Sequence, residues 1–305
     1  MLQYLRATPS NLSIEQKENL LDGTWVRSER PNDDEKTALI NLGVDEDILN
    51  DALDPHEVPR VELEDGMTYF ITRLPDTDDE HNDYTTPILF AISNEHLFTV
   101  SRDSLGRLWQ PFIDSTQVPT AQRTRLFMLM MEAISVSYQR RVATINRQMR
   151  AATSNVAKLS ARDIATLTAY ERKLNDYLDA LIPTNVATEK LLGGRILKLT
   201  EDDRDLVEDL SIDFEQLIAR CKSLLRTITN LRDSYRAVMD TRLNETIRLL
   251  TVITLALTIP TMVAGLFGMN VPLPSGADSP HTFWGIVAIS LLFAGSLSLY
   301  FLRKR

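Results

Sequence analysis

Four threonines, Thr251, Thr254, Thr258 and Thr261, stand three and four residues apart, the spacing that gathers side chains on one face of a helix. They lie within Leu249 to Met269, 21 positions without a charged residue. At about 1.5 Å of rise per residue, that run can cross a hydrocarbon core of roughly 30 Å. Pro260 frees a backbone carbonyl at the same depth. Hydroxyls and broken backbone inside a membrane are tolerated mainly where they meet protein or a water-filled cavity, so the run reads as a pore wall. Each threonine alone also fits a plainer role, a bond to its own helix four residues back. Gly268-Met269-Asn270 closes the run.

The helix that must position these residues starts far upstream. Arg195 to Ile259 contains neither Gly nor Pro, and Thr200 with Asp203 three residues on reads as a capping box. From Leu210 the apolar positions alternate steps of 4 and 3: Leu210, Phe214, Leu217, Cys221, Leu224, Ile228, Leu231, Tyr235, Val238. That heptad seam calls for a partner helix along its length. One helix of about 100 Å is expected to leave water and enter a membrane. Phe283 to Leu302 supplies a second span, 20 residues without charge, after a short loop from Val271 to Thr282. Arg242, Arg248 and the terminal Arg303-Lys304-Arg305 place both chain ends on the cytoplasmic side by the positive-inside rule. Two spans cannot enclose a pore, so several chains must surround one axis, with the seam as the means of association.

The N-terminal part reads as mixed α/β. Trp25-Val26, Met67 to Leu74, Pro87 to Ile92 and Leu97 to Ser101 are strand-like, and Asp33 to Leu42 and Asp45 to Leu53 are short helices. Asp76 to Asp83, five of eight residues acidic, reads as a solvated loop, with a cation site as the sharper alternative. Helices follow over Ala121 to Ala152 and from Ser160 to Pro183, then a short one ended by Gly193-Gly194. The methionines of the first are core filler. The fold class is therefore an α+β cytoplasmic domain, a small mixed sheet with a helical layer, followed by a very long pore-lining helix and a second transmembrane helix. The expected parts are 1–119 (α/β), 120–199 (helical layer), 200–248 (stalk helix), 249–270 (first span), 271–282 (outer loop), 283–302 (second span) and 303–305 (basic tail).

The net charge of −9 argues against nucleic acid and suits cations. The single cysteine, Cys221, sits in the seam and reads as a buried structural thiol. No cleaved signal peptide is apparent in Met1 to Gln16. His56, His81, His96 and His281 show no metal-ligand spacing, and no nucleophile motif or Gly-rich phosphate loop occurs, which argues against an enzyme. The rival reading is a membrane-tethered coiled-coil scaffold or sensor.

Gly268-Met269-Asn270 at the end of the first of two C-terminal spans, after a long helix, resembles the CorA family of divalent metal-ion transporters. Pro260-Thr261, Ala264-Gly265, Asn244-Glu245, Asp51-Ala52-Leu53-Asp54 and Pro59-Arg60-Val61-Glu62 extend the likeness over nearly the whole chain. The resemblance implies a homopentameric Mg²⁺ channel or transporter of the inner membrane, driven by membrane potential and using no organic cofactor. A ring of Asn270 amides with the carbonyls of Gly268 and Met269 would contact the hydrated ion, sparing Mg²⁺ its costly dehydration. By the same resemblance Thr261 and Thr258 face the pore, Ile247 and Leu250 form an apolar gate, and Asn244 and Asp233 line the inner mouth. Asp209, with Asp76, Asp78 and Asp79 of a neighbouring chain, would hold a regulatory Mg²⁺. The family's Met-Pro-Glu-Leu stretch reads Val271-Pro272-Leu273-Pro274 here, which leaves Co²⁺, Ni²⁺ and Zn²⁺ open as cargo.

Overall fold

Period-two alternation buries both faces of a seven-stranded mixed sheet in the computed structural model, which describes residues 2–77, 83–115, 118–152, 160–269 and 280–303. Strands β1 (Leu2–Thr8), β2 (Asn11–Lys17), β3 (Trp25–Glu29), β4 (Arg60–Glu64), β5 (Met67–Thr77), β6 (Asp83–Ile92) and β7 (Leu97–Ser101) lie in the order β2-β1-β3-β7-β6-β5-β4. The β3/β7 pair is parallel and the others are antiparallel. Helices α1 (Asp33–Asn41) and α2 (Glu46–Asp51) cover one face, where Leu39, Ile48 and Leu49 meet Val26, Ile71 and Phe98. The other face, with Trp25, Phe70 and Phe90, packs on α3 (Gly106–Ser115), α4 (Arg123–Ala152) and α5 (Ala161–Leu192). Phe127 of α4 stands edge-on to Phe70 and Phe90 at centroid separations of 5.3 and 5.1 Å. The sheet is thus mixed as expected, but helical layers lie on both of its faces.

Helices α6 (Glu201–Phe267) and α7 (Pro280–Arg303) complete the chain, which forms two compact units, Met1–Leu231 and Arg232–Arg305. Thr200 and Asp203 cap α6 reciprocally: the Asp203 N–H donates to the Thr200 hydroxyl at 3.2 Å, and the Thr200 N–H to the Asp203 carboxylate at 3.3 Å.

The seam requires a correction. Leu210, Phe214, Leu217, Cys221, Leu224 and Ile228 are buried in the core shared with α4 and α5 of the same chain. Ser211 donates to Asn185 of α5 at 3.1 Å, and Gln139 of α4 to Asp213 at 3.4 Å. A heptad repeat specifies that a helix is covered but not whether the cover is its own chain. This stretch of the seam is therefore not the means of association. Only Leu231, Tyr235 and Val238 are left half-buried.

Three further differences concern single elements. Pro183 does not end a helix; α5 runs through it to Leu192, where Gly193 caps it. The Thr184 hydroxyl donates to the Ala180 carbonyl at 2.7 Å, and Leu181, Ala187 and Leu191 are buried on either side of the proline, which outweighs its lost hydrogen bond. The segment from Asp76 is not all loop: Asp76 pairs with Tyr84 and Thr77 with Asp83 at the ends of β5 and β6. The polar strands β1, β2 and β4 and the helix α3 are additions to the expected elements.

Phe214→Ala is expected to lower the stability of the full chain by about 3–5 kcal/mol, while Ile212→Ala, at a position 45% exposed on the same helix, changes it by less than about 0.5 kcal/mol. Denaturant titration of the purified protein checks the difference. Burial pushes the Cys221 thiol up to about 12 from an ordinary 9.0, and the buried phenols of Tyr138 and Tyr177 move the same way. The folded chain holds these protons more tightly than the unfolded chain. Their contribution is complete below the unfolded pKa and is lost as pH climbs through the folded one. The thermal midpoint should therefore fall with alkalinity above about pH 9 and fall less steeply in Cys221→Ala.

Candidate functional site

In the second unit α6 packs on α7 through a defined side. Val252, Ser290 and Ala294 are buried there, and the Arg248 guanidinium donates to the carbonyl of Phe301. Nearer the end of α6 a cavity of about 510 Å³ is lined by Pro260, Val263 and Phe267 and by Phe283, Ile286 and Val287 of α7. Turning about 100° per residue, Arg248, Val252, Val263 and Phe267 share that side. Ile247, Thr254, Thr258 and Thr261 share nearly the opposite one, Thr251 and Asn244 border it on the Arg248 edge, and all six are exposed. Leu250, 64% exposed, borders the same stripe. The residues singled out for a pore wall are thus brought together along the side of α6 that the chain's own second span does not cover.

Each threonine hydroxyl bonds back into the helix: Thr251 to Ile247, Thr254 to Leu250, Thr258 to Thr254 and Thr261 to Leu257, at 2.7 to 2.9 Å. The plainer reading holds for all four. It does not compete with a role at the surface. A hydroxyl that spends its proton inward leaves only oxygen lone pairs facing outward, and these accept from the water shell of a cation.

The helix ends at Phe267, and the N–H of Gly268 returns to the Ala264 carbonyl at 2.9 Å. Gly268 and Met269 are exposed beside the C-terminal, partially negative end of α6, a setting that favours cations. Asn270 lies outside the described residues. At the other end of the stripe Asp233 is exposed, 3.8 Å from Arg236, a separation worth little in water.

The acidic positions are dispersed. Asp209 is exposed on α6 in the first unit. Asp76 accepts the N–H of Thr77 at 2.8 Å, and Asp78 and Asp79 lie outside the described residues. Asp83 is held by Arg141 at 2.7 Å and Lys173 at 2.9 Å, a pairing that the switch to basic residues at Arg140-Arg141 could have signalled. Burial, then the nearby Asp103 and Asp76, push the Tyr84 phenol up to about 12. Among the described residues no three His, Cys, Asp or Glu side chains converge to hold a metal ion. Arg60 ties together residues on which the resemblance rested, pairing with Asp51 at 2.8 Å and with Glu57 and Glu62. The contact of α7 with Arg248 had no signal in the sequence beyond the hydrophobicity of the two runs.

Among the described residues two helices, Glu201–Phe267 and Phe283–Phe301, are long and apolar enough to cross a membrane, and their apolar stretches are almost entirely unburied. An α/β unit whose last helix continues into the first of two such spans defines a two-span membrane protein. The family model for the CorA-like Mg²⁺ transporter protein matches residues 22–305, and the chain belongs to that family. The cobalt/magnesium transport protein CorA of Methanocaldococcus jannaschii is 25% identical over 289 residues, 92% of this chain and 90% of that protein. The complete structure of the magnesium transporter CorA from the same organism superposes with a TM-score of 0.84 at 20% identity, covering 100% of this chain and 98% of that one. Full-length CmaX gives a TM-score of 0.77 at 17% identity, with coverage of 100% and 97%.

Single cysteines at Thr251, Thr254 and Thr258 in the membrane-embedded protein are expected to react with a charged, membrane-impermeant thiol reagent, which reaches them only through water. Cysteines at Val252 and Val263 should be spared. The buried Cys221 keeps the background low, and mass spectrometry of the labelled chain reads the result.

Proposed function

We propose that this chain assembles as a homopentamer in the inner membrane, both termini cytoplasmic, and conducts Mg²⁺ inward through a pore lined by α6. The observation that carries the reading is the exposed stripe from Asn244 to Thr261, on the side of α6 away from α7. In the proposal Asn270 amides and the carbonyls of Gly268 and Met269 form the filter. Thr261, Thr258, Thr254 and Thr251 line the path, Ile247 and Leu250 close it by dewetting, and Asn244 and Asp233 line the inner mouth. Neutral oxygens suit a cation that keeps most of its water. An inside-negative potential of 100 mV supplies roughly twice 2.3 kcal/mol per divalent ion, so no nucleotide hydrolysis is required. Intracellular Mg²⁺ bound by Asp209 and by Asp76, Asp78 and Asp79 of the next chain would favour the closed state, and its loss would shift the population to the open one. Co²⁺ is the second cargo considered, because the relative from M. jannaschii is named for cobalt as well as magnesium.

The test is Mg²⁺ and Co²⁺ flux into proteoliposomes under an imposed inside-negative potential. Wild-type flux lost in Asn270→Ala, with the oligomer still assembled, is the expected outcome. Ile247→Asn with Leu250→Asn should instead raise flux in the presence of internal Mg²⁺, by about tenfold if wetting the constriction removes about 1.4 kcal/mol of barrier. Silence of the wild type toward both ions would overturn the transport reading and favour a membrane-tethered scaffold.

A further inference from the structure

Part of the first unit carries positive charge that the fold leaves uncommitted. A cavity of about 670 Å³, within the size range of small-ligand sites, opens between α3, α4 and the end of β5. Leu74, Leu105, Leu108, Phe112, Leu129 and Val136 form its apolar wall. A second cavity of about 520 Å³ shares Asp76 and Arg107 with it and adds Arg30, Tyr84, Asp103 and Ser104.

Asp76 and Asp103 accept from neutral donors and keep their charge. Asp103 accepts the Thr86 hydroxyl at 2.7 Å, and Asp76 accepts the Thr77 N–H at 2.8 Å. Arg141 is spent on Asp83 and Thr77, at 2.7 and 2.8 Å. Arg30, Arg107 and Arg140 differ: among the described residues none of their guanidinium groups makes an ion pair or a hydrogen bond, and Glu132 is the one wall carboxylate without such a bond. Arg30 is moreover held at φ 50, in the left-handed region that a side chain rarely adopts. Arg107 and Arg140 line the apolar cavity, and Arg107 and Arg30 the second, so each cavity offers an anion two guanidinium forks, with Arg107 common to both. The N-terminus of α3, at Gly106 and Arg107, borders the second cavity and adds the favourable end of a helix dipole.

We propose that these two adjoining cavities bind an organic phosphate, its apolar body against Leu108 and Phe112 and its phosphate at Arg107, which lines both, with Arg140 in the first and Arg30 in the second as the further donors. Both a soluble nucleotide and a phosphomonoester lipid headgroup have this chemistry. The site lies in the first unit and shares Asp76 with the regulatory position proposed above, while its test needs no transport.

Calorimetric titration of the purified full-length protein in Mg²⁺-free buffer tests it, with ATP, dihexanoyl phosphatidate and inorganic phosphate as separate probes. At least one organic phosphate should saturate a single site per chain, and inorganic phosphate, lacking the apolar body, should bind at least about tenfold more weakly. Arg107→Glu with Arg140→Glu should weaken organic phosphate at least about tenfold. Ala133→Phe, which fills the cavity and leaves the charge intact, should weaken it as well. An unchanged thermal midpoint shows that each variant is folded. Saturation by ATP identifies the nucleotide source, and saturation by the phosphatidate the lipid. Absence of saturable binding for both, or affinity indifferent to the substitutions in folded variants, would overturn the proposal.

Discussion

A helix keeps its backbone hydrogen bonds within itself, and the rest of this structure depends on that property. It allows α6 to run from Glu201 to Phe267 while its surface changes completely. Up to Ile228 one side is buried among the helices of the α/β unit. Beyond Arg248 the side chains are apolar or hydroxylic, and the helix suits lipid. Neither a strand nor a loop could pass between these surroundings without exposing unpaired N–H and C=O groups to hydrocarbon. The sheet, the helices that cover it and the second span are attachments to this one continuous element.

The sides of α6 divide the work. In the second unit one side meets α7, through the Arg248 contact and the cavity at Val263 and Phe267, and the other keeps its hydroxyls exposed. The proline belongs to the first side: Pro260 borders the cavity between the spans, so the carbonyl it frees is not obliged to face the threonine stripe. The threonines combine two properties that are usually set against each other. Their protons are returned to the helix and their oxygens remain available, so a polar stripe costs little in lipid before assembly and serves as acceptor after it.

How much was legible in the sequence follows from how each element is buried. Strands β5, β6 and β7 are covered on both faces and read as continuous apolar runs; β1, β2 and β4 lie at or beside the sheet edges, alternate weakly with charge, and carry no such run. The caps at Ser160 and Thr200 were readable because a capping box is a local device. The partner of the seam was not, since periodicity encodes that a face is covered and tertiary topology decides by what. Pro183 misled for the same reason: the burial that carries α5 through it comes from distant strands. The stripe on α6 was readable by spacing, whereas the free guanidiniums of Arg30, Arg107 and Arg140 come from three separate elements and are neighbours only in space.

The parallel pairing of β3 with β7 has a consequence for how the protein is made. Strand β3 at Trp25–Glu29 finds its partner β7 only at Leu97–Ser101, and the sheet face that carries Trp25 is completed by α6 as late as Ile228. Such distant pairings form slowly and leave apolar strands waiting. Yet every residue of that core precedes Leu249, the first of the charge-free run, in the order of synthesis. The ribosome therefore delivers a complete set of core-forming segments before the first segment that hydrocarbon could capture, so domain closure needs nothing from the membrane-spanning part of the chain.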